Sequence, residues 1–320
     1  MLANVHFPTD LNLLWDSVRK ALKTLQCIST KIELPGWRKL KQLLRNVKNS
    51  YRTAAEIHRK KGNDYQVRLS VAASKYLFEA NRVESRLTET LISLFNVQMD
   101  DKTKKLVENL KYFHEMMLKH IDLVNRRILL GEVIPHAEKV FSIFEPHVEW
   151  LAKGKTNCPA EIGHNVMITT DQFQFILCHK VLKKETDKDQ PVELAEKINK
   201  SYLALGLYIL ASSSFDRGFY SAKNENAWVD LCEQVVMPKP GKKTENRKNE
   251  EAAPLFTLLR KKHSAVESNI NELEHAGLNR VPDRGEDGFK RYVAMAVLGY
   301  NIKRLGKVVS EQKQKLQKSA

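Results

Sequence analysis

The N-terminal part of this sequence is dominated by helical periodicity, which constrains the fold more than any other feature. Between residue 11 and about residue 130, apolar side chains recur every three or four positions, with lysine and arginine between them. The first such series is Leu13, Leu14, Val18 and Leu22. After a break at Pro35-Gly36 the same spacing resumes. We therefore predict that residues 1–130 form a mostly helical insertion or bundle.

The pattern changes after residue 130, where short strands alternate with helices. Val166–Ile168 and Phe173–Leu177 flank a polar stretch, which predicts a hairpin. The elements predicted after it are a helix at 191–200, a strand at 207–210, a helix at 224–232 and a strand at 235–237. A strand is also expected at Val140–Phe144. This order is compatible with a ribonuclease H-like mixed sheet in residues 131–320, although periodicity does not separate that core from other α/β or α+β folds.

Three further elements complete the predicted C-terminal part. Residues 238–250 contain proline, glycine and many basic side chains, which is typical of a linker. A helix is expected from Glu251 to His275, ended by Gly277. The last predicted helix runs from Gly288 to Gln314. Its expected inner stripe is Tyr292, Ala296, Gly299 and Ile302.

The charge of the chain favours a polyanionic partner. The 53 lysine and arginine residues exceed the 38 acidic residues, which gives a net charge of +15. Such a balance suits nucleic acid or an anionic membrane surface. On this charge, double-stranded DNA is the preferred partner. No apolar stretch approaches the roughly 18 to 20 residues that span a bilayer, and no membrane partner is expected. Whether the basic face of the helical part contacts DNA or is merely solvated remains open.

The start of the chain and its cysteines suggest a cytoplasmic protein. Residues 1–10 lack the basic and then apolar pattern of a signal peptide. The four cysteines, Cys27, Cys158, Cys178 and Cys232, have no zinc-type spacing. Buried free thiols in a reducing compartment are the expected state.

Asp216, in the segment SSSFDRGFYS, is the first candidate for chemistry. It follows a short apolar strand, and α/β sheets bind ligands at the carboxyl ends of their strands. Gly218 would allow a tight turn and the close approach of a phosphate backbone. The alternative is an ordinary surface aspartate in a turn.

Glu267 is the second candidate, on a predicted helix. Arg260, His263, Glu267 and Asn271 are spaced three, four and four residues apart, so they share one helical face. A solvated polar face is the commoner explanation of such a stripe. Together, however, Asp216 and Glu267 could hold divalent metal ions, which activate water and stabilise a leaving oxygen in phosphodiester chemistry. Mg²⁺, or Mn²⁺ in its place, suits a site with few carboxylates.

Five segments together resemble the DDE transposases of bacterial insertion sequences, over nearly the whole chain. They are HFPTDLNLLWDSVRKAL from His6, FSIFEPHVEWLAKGK from Phe141, SFDRGF from Ser214, KKHSAVESNINELEHAGL from Lys261 and GFKRYVAMAVLGYNIKRLG from Gly288. The resemblance implies a ribonuclease H-like core that binds DNA, cleaves at element ends and transfers strands with Mg²⁺ or Mn²⁺. It also implies a homo-oligomer when active.

The resemblance assigns site residues, with two departures. Asp216 matches the second acidic metal ligand of the family, and Glu267 matches the third. Glu145 lies in a family motif and could be a supporting acid. The first aspartate of the family has no counterpart, because only Met1 to His6 precede the matching segment and contain no acid. The phosphate-contacting arginine and the lysine that flank the glutamate in many relatives are replaced as well.

These departures shape the expected function. His263 and Glu274 stand at the two flanking positions, so Arg260 would have to take over phosphate contact, with His263 beside it. The expected function is an N-terminally truncated, inactive transposase. The alternatives are a DNA-binding remnant without catalysis and, from another class, a helical scaffold that binds acidic proteins.

Overall fold

The computed structural model describes residues 2, 3, 5, 8–152, 160–206 and 210–319. The chain forms two compact units and is a mixed α and β protein. The first, the helical unit, comprises Val5–Pro146. The second, the mixed unit, comprises Leu2 and Ala3 together with the residues from His147 onward. The division lies after Pro146, whereas the predicted domain boundary lies after residue 130.

Four long helices build the helical unit, in agreement with the predicted bundle. They are α1 (Asp10–Ser29), α2 (Leu40–Lys60), α3 (Tyr65–Ser93) and α4 (Asp101–Val124). Two begin with a side-chain cap: Thr9 accepts a hydrogen bond from the backbone N–H of Asn12, and Asp100 accepts one from that of Thr103. A π-helical turn at Asn125–Leu129 follows α4.

The core of the helical unit contains the apolar stripe that the sequence predicts. Leu14, Val18 and Leu22 of α1 are fully buried, and α1 packs against α4 and α2. Burying such a side chain contributes about 1.5–3 kcal/mol. The Nε1 of Trp37 donates to Oγ1 of Thr90 over 2.8 Å, which fixes the α1–α2 connection on α3.

The strand predicted at Val140–Phe144 is wrong, because the segment is irregular. The Oγ of Ser142 accepts hydrogen bonds from the backbone N–H groups of Phe144, at 3.2 Å, and Glu145, at 3.0 Å. The hydroxyl of Tyr112 on α4 donates to the carbonyl of Ile143 over 2.8 Å. Local side chains thus satisfy the backbone groups that a strand would use in a ladder.

The strands of the mixed unit form one four-stranded and two two-stranded sheets in the described part of the chain. They are β1 (Leu2–Ala3), β2 (Glu149–Ala152), β3 (Ala160–Gly163), β4 (Val166–Thr170), β5 (Ile176–Val181), β6 (Leu210–Ser214), β7 (Cys232–Val236) and β8 (Arg280–Val281). The largest sheet has the order β2-β3-β1-β8. The β4–β5 pair forms the predicted hairpin, but its second strand begins at Ile176 and not at Phe173; β6 and β7 are parallel. Of the strand predicted at 207–210, residues 207–209 lie outside the described residues.

The described part of the mixed unit also contains six α-helices. They are α5 (Pro191–Ala204), α6 (Ala222–Val229), α7 (Glu245–Ala252), α8 (Pro254–Lys262), α9 (Ser264–Leu273) and α10 (Gly285–Ser319). The predicted helix at 191–200 is confirmed, and Pro191 occupies its first turn. The side-chain amide of Asn301 on α10 exchanges two hydrogen bonds of 2.9 Å with the backbone of Ile176, the first residue of β5.

Two predictions about the C-terminal part need correction. The predicted linker at 238–250 becomes helical from Glu245, because Arg247 is buried there among acidic side chains. The prediction of Tyr292, Ala296, Gly299 and Ile302 as the inner stripe of the last helix is also wrong. Its buried side chains are Phe289, Val293, Val297 and Tyr300, while Ile302 is exposed.

Candidate active site

Asp216 lies directly beyond the carboxyl end of β6, where the sequence predicts it. Phe215 is buried, and its backbone N–H donates to the carbonyl of Val236, so the parallel pairing extends to the residue before the aspartate. Asp216 is exposed and caps a short 3-10 helix at Arg217–Phe219. Its Oδ1 accepts a 2.7 Å hydrogen bond from the backbone N–H of Arg217. This bond orients the carboxylate.

Asp187 is a second carboxylate beside Asp216. It begins a short 3-10 helix at Asp187–Asp189, which contacts the 3-10 helix after Asp216. A methyl group placed on Gly218 would lie 3.0 Å from Oδ2 of Asp187, so the glycine permits this approach. Partial desolvation raises the pKa of Asp187, and the negative charge of Asp216 raises it further. The two acids therefore interact electrostatically.

Sequence reasoning missed Asp187. It stands in the polar stretch ETDKDQ, where no spacing separates it from ordinary surface acids. The tertiary contact with Gly218 distinguishes it, and no periodicity encodes that contact.

Asn224 holds the two acid-bearing turns together. Its side chain is buried, and its Nδ2 donates to the carbonyls of Lys188 and Phe219, both over 2.8 Å. One amide thus bridges the turn of Asp187 and the turn of Asp216. Buried hydrogen bonds of this kind fix a loop more firmly than exposed ones.

Glu267 lies on α9, and its side chain is exposed. The helix predicted at Glu251–His275 is divided in the structure, since α7 ends at Ala252, α8 ends at Lys262 and α9 begins at Ser264. Within the described residues, no hydrogen bond or ion pair joins Glu267 to Asp216. The buried side of α9 carries Asn269, whose Oδ1 accepts a 2.9 Å bond from the hydroxyl of Tyr300.

The helices that carry Glu267 pack near the strand that leads to Asp216. Helix α8 contacts β6 and β7, and α9 contacts α8 and β4. Phe256, which is almost fully buried, anchors α8. The α8–α9 segment therefore runs from the β6–β7 pair to the hairpin strand β4.

The two proposed phosphate contacts lie at the junction of these helices. Arg260 is exposed in the last turn of α8. His263 is half-buried and links α8 to α9, where its φ and ψ angles of −58° and −27° stay helical. Glu274 is exposed in the π-helical turn after α9.

Glu145 belongs to the helical unit, so it is not part of the unit that contains Asp216 and Glu267. Its side chain is buried, and its backbone N–H donates to Ser142. The structure thus brings together Asp216 and Asp187, and it places Glu267 on a helix segment that packs against the neighbouring strands.

Among the residues that the structure describes, no three His, Cys, Asp or Glu side chains are grouped so that they could hold a metal ion. The Asp216–Asp187 pair offers two carboxylates. Of the cysteines in the described ranges, Cys232 is buried, whereas Cys27 is exposed and departs from the predicted burial. Cys158 lies outside the described residues.

No helix in the described ranges is both long and apolar enough to cross a bilayer. When the chain is compared with protein-family models, with curated proteins and with solved structures, nothing matches it.

Proposed function

We propose that this chain is a transposase of the DDE type that acts on double-stranded DNA, with Asp216 and Glu267 as ligands of Mg²⁺ or Mn²⁺. The observation that carries the proposal is the position of Asp216 at the carboxyl end of a parallel strand pair, with the carboxylate of Asp187 beside it. Desolvation and the charge of Asp216 raise the pKa of Asp187, and a divalent cation beside the two carboxylates would relieve their repulsion.

The donor set suits the proposed metal. Carboxylate oxygens are the ligands that Mg²⁺ takes in proteins, in small numbers and together with water and phosphate oxygens. When bound, the metal would activate a water molecule and stabilise the leaving oxygen of a phosphodiester. Asp216 would hold it, oriented by the N–H of Arg217, and Asn224 would keep the adjoining turns in place. Glu267 would reach the site from α9.

The arrangement of the strands supports a ribonuclease H-like core as part of this proposal. The β4–β5 hairpin and the β6–β7 pair are separate sheets, yet they contribute to one hydrophobic cluster. Met167 of β4, Phe215 after β6 and Cys232 of β7 belong to this cluster. We interpret the two pairs as parts of one ribonuclease H-like layer that share this cluster.

The positive charge supports DNA as the partner. A net charge of +15 attracts the phosphate backbone regardless of sequence. In the proposed reaction, the charge would hold the duplex while Arg260 and His263, at the α8–α9 junction, contact a phosphate near the metal. A homo-oligomer would bring two element ends together.

The first test measures metal binding. Mn²⁺ titration of the chain should show binding that Asp216→Asn and Glu267→Gln each weaken at least about tenfold, as expected for the loss of one ligand. The control is Glu311→Gln, an exposed acid on α10, which should bind Mn²⁺ like the parent chain. Unchanged Mn²⁺ binding in Asp216→Asn would show that the proposed site is wrong.

Catalysis is tested separately, because a DNA-binding protein without cleavage is the second candidate. Strand transfer on DNA with element ends, dependent on Mg²⁺ or Mn²⁺ and lost in Asp216→Asn, would support the transposase. Salt-sensitive DNA binding without any cleavage would favour the second candidate. Absence of DNA binding at low salt, with competition by acidic proteins instead, would favour a helical scaffold.

A further inference from the structure

One helix of the helical unit carries an unusual run of positive charge. Between Pro35 and Gly62 the sequence contains nine lysine and arginine residues and a single acidic residue, Glu56. Most of this run forms α2. A surface helix of mixed charge is the ordinary case, since opposite charges three or four residues apart stabilise a helix. Helix α2 differs from this case because its charges are almost all positive.

The basic residues of α2 share one face. Lys41, Arg45, Lys48, Arg52 and Arg59 follow each other at spacings of four, three, four and seven residues, which keeps them on one side of a helix. All five are exposed. We call this set the α2 basic face. At about 1.5 Å per residue it extends over roughly 27 Å.

The opposite side of α2 is occupied by the core. Leu43, Val47, Ser50 and Ala54 are buried there, and α2 packs against α3 and α1. The bundle therefore fixes the rotation of the helix and holds the α2 basic face toward solvent. Its geometry is set before any partner binds, which lowers the entropic cost of binding.

The charges of the α2 basic face are not neutralised by the protein. Within the described residues none of its five side chains forms an ion pair. Glu56, the acidic residue of α2, is paired with Lys60 at 2.6 Å. Helix α4 provides a contrast, because its exposed lysines alternate with acidic residues such as Glu108 and Glu115.

We propose that the α2 basic face binds the phosphate backbone of duplex DNA. This proposal rests on the proposed function in that both require DNA binding, but it assigns the contact to a surface far along the chain from Asp216. Duplex DNA carries one phosphate per about 3.4 Å of each strand, so a 27 Å row of cations faces roughly eight base pairs. Contacts of this kind position a protein on DNA without reading its sequence.

The surroundings of the α2 basic face favour DNA over a membrane. A helix that lies in a bilayer surface exposes large apolar side chains beside its basic residues. No large apolar side chain of α2 is among the strongly exposed ones, as Leu44, Tyr51 and Ile57 are all partly buried and packed against the core. The α2 basic face thus offers positive charge for binding phosphate, and it offers no exposed large apolar side chain for insertion into a bilayer.

The experiment compares two variants that lose the same charge. The first replaces Lys41, Arg45, Lys48 and Arg52 by glutamine. The matched control replaces Lys102, Lys105, Lys111 and Lys119 of α4, which are equally exposed. Binding of each full chain to a 30-base-pair duplex of arbitrary sequence is measured from low to moderate salt. Far-ultraviolet circular dichroism and thermal unfolding confirm that both variants fold.

We expect the slope of log affinity against log salt, which is negative, to be less steep in the α2 variant by about 3 to 4, since each lost phosphate contact removes about 0.9 from its magnitude. Its affinity should fall at least about tenfold, while the α4 control stays within about twofold of the parent chain. Equal losses in both variants would overturn the assignment to α2 and leave only a general charge effect. Absence of DNA binding by the parent chain at low salt would instead contradict the proposed function.

A second arm tests the competing partners. Vesicles of phosphatidylcholine with 30% phosphatidylserine, and polyglutamate as an acidic protein mimic, are offered to the parent chain and the α2 variant. Weak binding to both, relative to the duplex at the same salt, is the expected result. Tighter binding to vesicles or polyglutamate than to DNA, lost in the α2 variant, would overturn the choice of DNA.

Discussion

The imidazole rings of His147 and His164 stack almost in parallel, with centroids 5.2 Å apart and planes 7° from each other. The Nδ1 of His147 lies 2.9 Å from the Nε2 of His164, and the Nδ1 of His164 lies 3.1 Å from the carbonyl oxygen of Leu182. Because a carbonyl only accepts, His164 donates from Nδ1 and accepts from His147 at Nε2. With a neutral His164 this network is complete as it stands; a proton on Nε2 of His164 would instead require His147 to change its tautomer so that its Nδ1 accepts.

The mixed unit should lose stability in acid because of this pair. Burial lowers the pKa of His164, and His147 lowers it too, while the carboxylates of Glu149 and Glu286 act in the opposite direction. A histidine whose pKa is lower in the folded state takes up its proton on unfolding. Stability is therefore complete above the ordinary pKa of 6.5 and falls as the pH decreases below it.

Hydrogen exchange of peptides that cover β4 and β5 provides the measurement. Protection should fall between pH 7.5 and pH 5, and His164→Gln should make it less dependent on pH. His275→Gln is the control, since this histidine is exposed, and it should leave the pH dependence unchanged. Equal pH dependence in the parent chain and in His164→Gln would contradict the prediction.

The burial of His120 predicts that the helical unit also loses stability in acid. Its ring is completely buried on α4, and neither ring nitrogen has a hydrogen-bond partner in the described part of the chain. Burial lowers its pKa to about 4, with a smaller contribution from Lys119. Stability linked to His120 is thus present above pH 6.5 and is lost as the pH falls toward 4, by an amount on the order of 3 kcal/mol.

His120→Leu should stabilise the helical unit at neutral pH, because the substitution removes two buried polar atoms that lack partners. An increase of about 1–3 kcal/mol in the free energy of unfolding is expected from urea denaturation. The difference between variant and parent should grow from pH 7 to pH 4.5. A destabilised variant with unchanged acid sensitivity would show that the ring nitrogens are satisfied in solution.

The helical unit was predictable because its signal is local. The stripe Leu14, Val18 and Leu22 repeats at the period of the helix, and these side chains are buried as expected. The hairpin and α5 could also be predicted from the sequence, since turn residues mark the hairpin and Pro191 marks the start of α5. Short-range patterns of this kind need no knowledge of the partner surface.

The remaining features depend on contacts between distant residues. The basic stretch 238–250 resembles a linker by composition, but burial of Arg247 beside Glu225 makes part of it a helix. The inner face of α10 was assigned from spacing, yet the stripe of Phe289 and Val293 packs inward instead. For the candidate site, the sequence identified Asp216 at a strand end. The proximity of Asp187 arises only from tertiary structure.

Arg247 should be among the most sensitive positions of the mixed unit. Its guanidinium group forms ion pairs with Glu225 at 2.8 Å and Glu251 at 3.2 Å, donates to the carbonyl of Met237 at 2.6 Å and lies 5.3 Å from the ring centre of Tyr220. Arg247→Ala leaves the half-buried Glu225 without this cation, while the buried Glu251 keeps its ion pair with Lys243. Loss of one partner from a fully buried pair costs about 3–5 kcal/mol, so we expect a loss below that range but well above that of an exposed pair.

Urea denaturation of Arg247→Ala and Arg247→Lys measures this cost. The lysine variant should recover part of the stability, because it keeps the charge but not the planar set of donors. Lys248→Ala, which removes an exposed pair with Glu245, is the control and should change stability by less than about 1 kcal/mol. Similar losses in Lys248→Ala and Arg247→Ala would contradict the role of burial.

Gly218→Ala should disturb the acid pair. The added methyl group would lie 3.0 Å from Oδ2 of Asp187, so the Asp187 carboxylate or the turn has to move. We expect Mn²⁺ affinity to fall at least about threefold, since metal sites tolerate little displacement of their ligands. Gly306→Ala on α10, where nothing lies within 4 Å of the new methyl group, should leave Mn²⁺ affinity unchanged. Equal Mn²⁺ binding by both variants would place the metal elsewhere.

Asp216→Asn tests the interaction of the two carboxylates directly, without relying on activity. Asparagine keeps an oxygen that accepts the hydrogen bond from the N–H of Arg217 and removes only the negative charge. Because that charge raises the pKa of Asp187, the pKa of Asp187 should fall in the variant. Desolvation remains, so the pKa should stay above the ordinary value of 3.8. The side-chain carboxyl ¹³C shift of Asp187, followed by pH titration, measures both effects.

Mg²⁺ should lower the pKa of Asp187 in the parent chain, as the mutation does. A cation bound between the carboxylates favours their charged forms, so saturating Mg²⁺ should lower the pKa of Asp187 in the parent chain. The Mg²⁺ effect should be smaller in Asp216→Asn, which has one ligand fewer. Asp10 of the helical unit, whose pKa is raised by burial, serves as the internal control, and its pKa should be the same in both proteins. If the titration of Asp187 is unaffected by Asp216→Asn, the two carboxylates do not interact in solution. If Asp187 responds to the mutation but not to Mg²⁺, the pair is an electrostatic feature of the fold and the proposed metal site is wrong.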